Sequence, residues 1–315
     1  MQCQFELWEE CNSRCKFCYL GNNNIHTEDS VKIQNIRNVI DKISDREFLK
    51  NDEIDCLAFI GGEFFQGQMD NPEVKSEFLR MMGIVNGYLE DGTINQVWIS
   101  ATLTIGDQKD MYDTLKCFKD LSKVWILTSY DTIGRFHTEK MKQDWLDNLA
   151  RLREYSKDVK INITSILTGD FIDRYIDGTL DLYQISEKYD CAIFLKPTCS
   201  TNRLKEGTDN KEQTNEKIPN FFPTREKFLQ FLMKYKAQEE SFMYDKLFNM
   251  KFRSDYLYKY SNGFKKSHRI KDKFQEDMDG ETDVLPCGHS SQYKIYVHDD
   301  KHCAVCDKEM IRKMV

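Results

Sequence analysis

Three cysteines, Cys11, Cys15 and Cys18, fall within eight residues in the stretch CNSRCKFCYL. Spacings this short let three thiolates converge on one object. A tetrahedral zinc site takes four ligands and a disulfide takes two, so three leaves a position open. A cubic four-iron cluster held by three cysteines keeps one iron free to bind something else. The spacing therefore favours iron–sulfur chemistry. The competing reading is zinc with Cys3 or His26 as fourth ligand; Cys3 lies on the preceding strand and folds back poorly, and nothing marks His26 out. The chain has 11 cysteines, an odd number, and its first residues, MQCQFELWEE, show no basic region followed by an apolar stretch. A disulfide framework is not expected, and a cytoplasmic protein is. No apolar run reaches the length of a membrane span.

A second constellation is Gly61-Gly62-Glu63, in AFIGGEFF, at the end of an apolar strand. Glycines let a backbone approach a ligand closely. A carbonyl and a carboxylate at that place can accept hydrogen bonds from an ammonium group. Alone, the triplet reads equally as a tight turn.

Together these motifs resemble those of radical S-adenosylmethionine enzymes. The likeness rests on Cys11-x3-Cys15-x2-Cys18 with aromatic Phe17 before the last cysteine, and on Gly-Gly-Glu one βαβ step later. It covers roughly residues 1–198. It implies a [4Fe-4S] cluster on Cys11, Cys15 and Cys18, with S-adenosyl-L-methionine chelating the fourth iron. It implies that one electron from the cluster cleaves the cofactor to a 5′-deoxyadenosyl radical, which abstracts hydrogen from a substrate. The electron comes from an external one-electron reductant of the flavodoxin or ferredoxin type. The resemblance places Phe17 near the adenine and Gly61, Gly62 and Glu63 at the methionyl amino group. It places Ser129 and Arg135, after the fourth strand, near the cofactor's ribose or carboxylate. Phe64 stands where the family often has proline, a departure the backbone contact tolerates. Asn162 and Thr164, alternating on the fifth strand, reach the ribose or form a polar layer.

A second cysteine group, Cys287, Cys303 and Cys306, lies near the C-terminus among His289, His298 and His302. Its spacing suits zinc with a histidine or Cys199 as fourth ligand, or an auxiliary iron–sulfur cluster. The tail resembles the SPASM and twitch extensions of radical S-adenosylmethionine enzymes, with Lys301 where glycine is usual. That likeness implies an auxiliary cluster, and a peptide or protein side chain as substrate.

The stretch 251–274 carries eight Lys or Arg against two Asp, with Tyr256, Tyr258, Tyr260 and Phe264 interleaved, in a chain of net charge −7. Cations among aromatics suit phosphates and bases, so a nucleotide or nucleic acid is the alternative substrate. The bland reading is a solvated helix whose aromatics pack on the barrel. A non-enzymatic binding protein with two structural zinc sites is the contrasting account.

These residues must be positioned by the rest of the 315-residue chain, of which 40% is hydrophobic and 31% charged. Six apolar runs alternate with amphipathic stretches at spacings that suit parallel crossovers. The expected class is α/β: a partial (β/α)6 TIM-like barrel over 1–199, with functional loops at the C-terminal strand ends. A polar loop and helical segment (200–280) and a small Cys-rich C-terminal module (281–315) follow.

Overall fold

The computed structural model describes residues 2–18, 26–51, 54–104 and 106–197, parts of 218–234, and strands at 254–259, 266–269, 294–296 and 301–303. Six parallel strands run in chain order: β1 (Gln2–Glu6), β2 (Cys56–Ile60), β3 (Gln96–Ser100), β4 (Val124–Ser129), β5 (Lys160–Leu167) and β6 (Cys191–Pro197). Each pairs with its sequence neighbour, from Phe5 opposite Phe59 to Asn162 opposite Ala192. Parallel neighbours need crossovers. These are α1 (Asp29–Ser44) with the short α2 (Arg46–Asn51), α3 (Pro72–Glu90), α4 (Lys109–Leu115), α5 (Glu139–Tyr155), then α6 (Gly169–Asp177) and α7 (Leu182–Lys188).

Local sequence sets the helix starts. Asn71 accepts from the backbone N–H of Glu73 and Val74, with Pro72 at the first position of α3. Thr138 caps α5 and Thr168 caps α6 in the same way, satisfying N–H groups that have no intrahelical partner.

Alternation then splits the sheet into two faces. Phe5, Phe59, Val97, Ile99, Ile126 and Ile163 are fully buried in one core with helix residues such as Ile36, Phe78 and Leu149. The opposite face is half-exposed and more polar: Trp98, Ser100, Trp125, Ser129, Asn162 and Thr164. Thr164 sits opposite Ser129 in the β4–β5 register.

One expectation is corrected here. The sequence reads as helical from about residue 224 to 274; Glu226, Lys227, Gln230, Phe231 and Lys234 are helical, yet Ser254–Lys259 and Lys266–Arg269 form β7 and β8. β7 pairs parallel with β1, and β8 pairs antiparallel with β7, giving an eight-stranded sheet. The physical reason is visible in Tyr256, Tyr258 and Tyr260, which recur at period two and favour strand, and in the β1 edge that β7 covers. The sheet thus draws strands from both sides of residue 199. Near the C-terminus β9 (Lys294–Tyr296) and β10 (Lys301–Cys303) form an antiparallel pair that includes Cys303. Residues 200–217, Cys287 and Cys306 lie outside the described residues.

Cys191, at the start of β6, shows what the core does to a thiol. Burial, against the lesser pull of Arg153, pushes it up to about 12, and its Sγ donates to the carbonyl of Tyr189 at 3.3 Å. A raised thiol favours folding while neutral. Its contribution is complete below the ordinary value of 9.0 and is lost as pH climbs through about 12. In native protein at pH 8 we expect iodoacetamide to label Cys191 about 1000-fold more slowly than in urea, as peptide mapping will show.

Candidate functional site

The cysteine loop leaves β1 at the C-terminal end of the sheet, where parallel α/β folds place their chemistry. Its first residues continue to pair with the chain after β2. Leu7 N–H donates to Ile60, Gly62 N–H to Trp8 and Glu63 N–H to Glu10, the last two at 2.9 Å. The Trp8 indole donates to the Glu63 carbonyl at 2.7 Å. The two strand-end loops are therefore zipped together. The glycines are needed for this: a Cβ at Gly61 would lie 2.5 Å from the Trp8 carbonyl oxygen, and one at Gly62 2.1 Å from that of Glu10.

Glu63 is 1% exposed. Its carboxylate accepts from the N–H of Phe64 and Phe65 at 2.9 Å and of Thr102 at 2.6 Å. Burial nevertheless holds its pKa above the usual range, outweighing those bonds. The resemblance puts this residue at a ligand's amino group; the structure turns the side chain inward, as a latch between the turn after β2 and the turn after β3. Gln66 extends that latch, donating to Thr102 and Thr104 while its carbonyl accepts from Asn12, next to Cys11. Gln66 also borders a cleft of about 440 Å³ between the loops after β2 and β3. Cys11 feels the same surroundings: burial first, then the Glu63 charge, push its thiol up to about 11.

The other flank of the loop is held by the turn after β4. Lys16 N–H donates to the Gly134 carbonyl at 2.8 Å. Gly134 has φ 79°, a left-handed value glycine adopts freely, and its missing side chain leaves room for the Phe17 ring. His137 Nε2 lies 3.0 and 3.1 Å from the carbonyls of Ser13 and Arg14. Phe17 is buried, with the Arg135 guanidinium 5.6 Å from its centroid and Phe221 stacked on it at 5.5 Å. The resemblance places it near an adenine; in the structure Phe221 covers one face. Phe221 arrives with Ile218 and packs with Cys15 and Phe17 in a small apolar cluster that Cys18 borders.

Arg135 joins the cysteine flank. Its Nε donates to Asp131 Oδ2 at 2.5 Å. Burial works against its charge, and Cys15, Asp131 and Cys18 overcome that, holding the guanidinium above its ordinary pKa. Ser129, at the end of β4, lies on the half-exposed face beside Thr164, as the register shows. The Asn162 Oδ1 on that face is buried without a hydrogen-bond partner among the described residues.

The structure thus assembles the Cys11–Cys18 loop, Gly61–Glu63 and Arg135 at one end of the sheet. Cys11, Cys15 and Cys18 form no disulfide among the described residues. Among the described residues no three His, Cys, Asp or Glu side chains converge closely enough to hold a metal as they stand. In donor chemistry the loop fits an iron–sulfur group: three thiols between two pinned flanks, with a buried cation to offset thiolate charge. Sequence reasoning missed Asp131, Phe221 and His137. The Asp131/Arg135 pair carried a signal, opposite charges four residues apart. Phe221 carried none, because a polar segment separates it from the six parallel strands.

No family model matches the chain. No curated protein matches it significantly. Among solved structures, endo-glycoceramidase II from Rhodococcus sp., in a five-membered iminocyclitol complex, is similar over 57% of this chain at 12% identity and a TM-score of 0.28. The match covers 49% of that protein, about half its length. A likeness of that size carries no argument about activity. No helix among the described residues is long and apolar enough to cross a membrane.

Proposed function

We propose that this chain is a radical S-adenosylmethionine enzyme built on a partial (β/α)6 barrel. The observation that carries the reading is the zipped pair of loops. A three-cysteine loop after β1 is fixed to a Gly-Gly-Glu turn after β2 by Gly62 N–H to Trp8 and Glu63 N–H to Glu10. A [4Fe-4S] cluster on Cys11, Cys15 and Cys18, when bound, supplies one electron to S-adenosyl-L-methionine and so a 5′-deoxyadenosyl radical.

The chain's own residues supply position and environment. Gly61 and Gly62 keep the turn narrow enough for its backbone to meet the cofactor's amino group. Glu63 holds that turn from within through three backbone N–H groups. Arg135 supplies positive charge beside Cys15 and Cys18, which favours the thiolates a cluster requires. Ser129 and Thr164 offer hydroxyls on the face the radical would sweep. The reductant is an external flavodoxin or ferredoxin.

A peptide or protein side chain is the substrate class we take, supported by the twitch-like spacing of Cys287 and Cys306. A nucleic acid is the second reading, supported by the basic stretch forming β7 and β8 beside β1. Oligonucleotide affinity that falls steeply with salt and disappears on neutralising Lys265, Lys266 and Arg269 would favour it.

The test is direct. Anaerobically reconstituted protein, reduced with dithionite and given S-adenosylmethionine, should release 5′-deoxyadenosine or a 5′-deoxyadenosylated product, seen by mass spectrometry. Protein loaded with four irons that leaves the cofactor intact, with every candidate substrate class supplied, would contradict the reading.

A further inference from the structure

Arg135 is gripped by one of its donors only. Nε donates to Asp131 Oδ2 at 2.5 Å, while the two terminal nitrogens have no acceptor among the described residues. The side chain is only 12% exposed. A largely buried guanidinium whose fork is unmatched is poised for a planar anion. Asp131 fixes that arrangement. Its second oxygen accepts from the N–H of Ile166 on β5 at 2.8 Å. The carboxylate is 1% exposed, so water does not compete for it. One oxygen is tied to the sheet and the other to Nε. Because the guanidinium is planar, engaging Nε leaves the terminal nitrogens for a partner other than Asp131.

We propose that Asp131 is a positioning residue. It holds Arg135 by Nε and so presents the guanidinium fork to the carboxylate of S-adenosylmethionine, without touching the cofactor itself. The inference rests on the radical S-adenosylmethionine reading above. A carboxylate met by a guanidinium fork takes two parallel charge-assisted bonds, which depend on angle as well as distance. A guanidinium freed from Asp131 keeps its charge and loses that angle.

The experiment compares S-adenosylmethionine with its decarboxylated analogue by calorimetric titration of iron-loaded full-length protein. Wild type should prefer the carboxylated ligand. Asp131→Leu should cut that preference by about 10-fold, the worth of one charged hydrogen bond, and leave the analogue's affinity unchanged. Asp131→Asn keeps an acceptor for only one of its two partners and should give an intermediate preference; it carries the test if the leucine variant does not fold. A loss that is equal for both ligands would mean a merely structural role and overturn the proposal. An unchanged preference would overturn it too. Wild type that holds four irons yet binds both ligands alike overturns the proposal while leaving the cluster standing. Wild type without iron overturns the enzyme reading beneath it, and metal analysis of the same sample tells the two failures apart.

Discussion

Gly62→Ala is expected to cost the protein about 3 kcal/mol or more and most of its capacity to bind iron. The added Cβ would sit 2.1 Å from the Glu10 carbonyl oxygen and 2.6 Å from that of Glu9. Both neighbours are backbone, so no rotamer change relieves the overlap. The turn can move only by breaking Gly62 N–H to Trp8 and Glu63 N–H to Glu10, the bonds that zip it to the cysteine loop. Separation of the loops also breaks the bond from the buried Trp8 indole to the Glu63 carbonyl, leaving both groups to find new partners. Gly83→Ala is the control. Gly83 lies within α3 with nothing within 4 Å of its would-be Cβ. There alanine should stabilise by up to about 1 kcal/mol through helix propensity. Urea unfolding of the three proteins, with iron analysis, checks both expectations. Equal midpoints for wild type and Gly62→Ala would mean the two loops are not coupled.

Arg135→Met should be nearly as damaging, costing about 3–5 kcal/mol, because it strands the Asp131 carboxylate in the interior. Asp131 is 1% exposed and would keep only the Ile166 N–H. A buried charge without its partner is far worse than no charge. The double variant Arg135→Met/Asp131→Leu should therefore regain most of the lost stability. The coupling energy of that cycle, read from urea midpoints of the metal-free proteins, measures the pair without any cofactor. Additive losses would show that the two side chains do not act as a pair.

The parallel sheet was legible because its signal is repetitive. Apolar runs at βα spacing leave few arrangements, and the six strands pair in chain order. That the cysteine loop and the glycine turn meet was legible because both follow the C-terminal ends of adjacent parallel strands. What could not be read were contacts between segments distant in sequence. Gly62 against Glu10, Gly134 against Phe17 and Phe221 against Phe17 depend on where loops return in space. Glu63 shows a different limit. An acid beside two glycines suggests a ligand contact, yet its carboxylate is satisfied by its own turn and by Thr102. The pairing of β7 with β8 was open to reading, since alternate tyrosines mark a strand, but the dense cations among them obscure the alternation.

The most direct test of the account is the iron, sulfide and zinc content of anaerobically reconstituted protein beside a Cys11/Cys15/Cys18 triple-alanine variant. The account predicts about four irons and four sulfides held by the N-terminal loop in wild type and lost in the variant. About eight irons, with half retained by the variant, would add an auxiliary cluster on the C-terminal cysteines. No iron in either protein, with zinc in the wild type, would contradict the account and leave a structural zinc protein in its place.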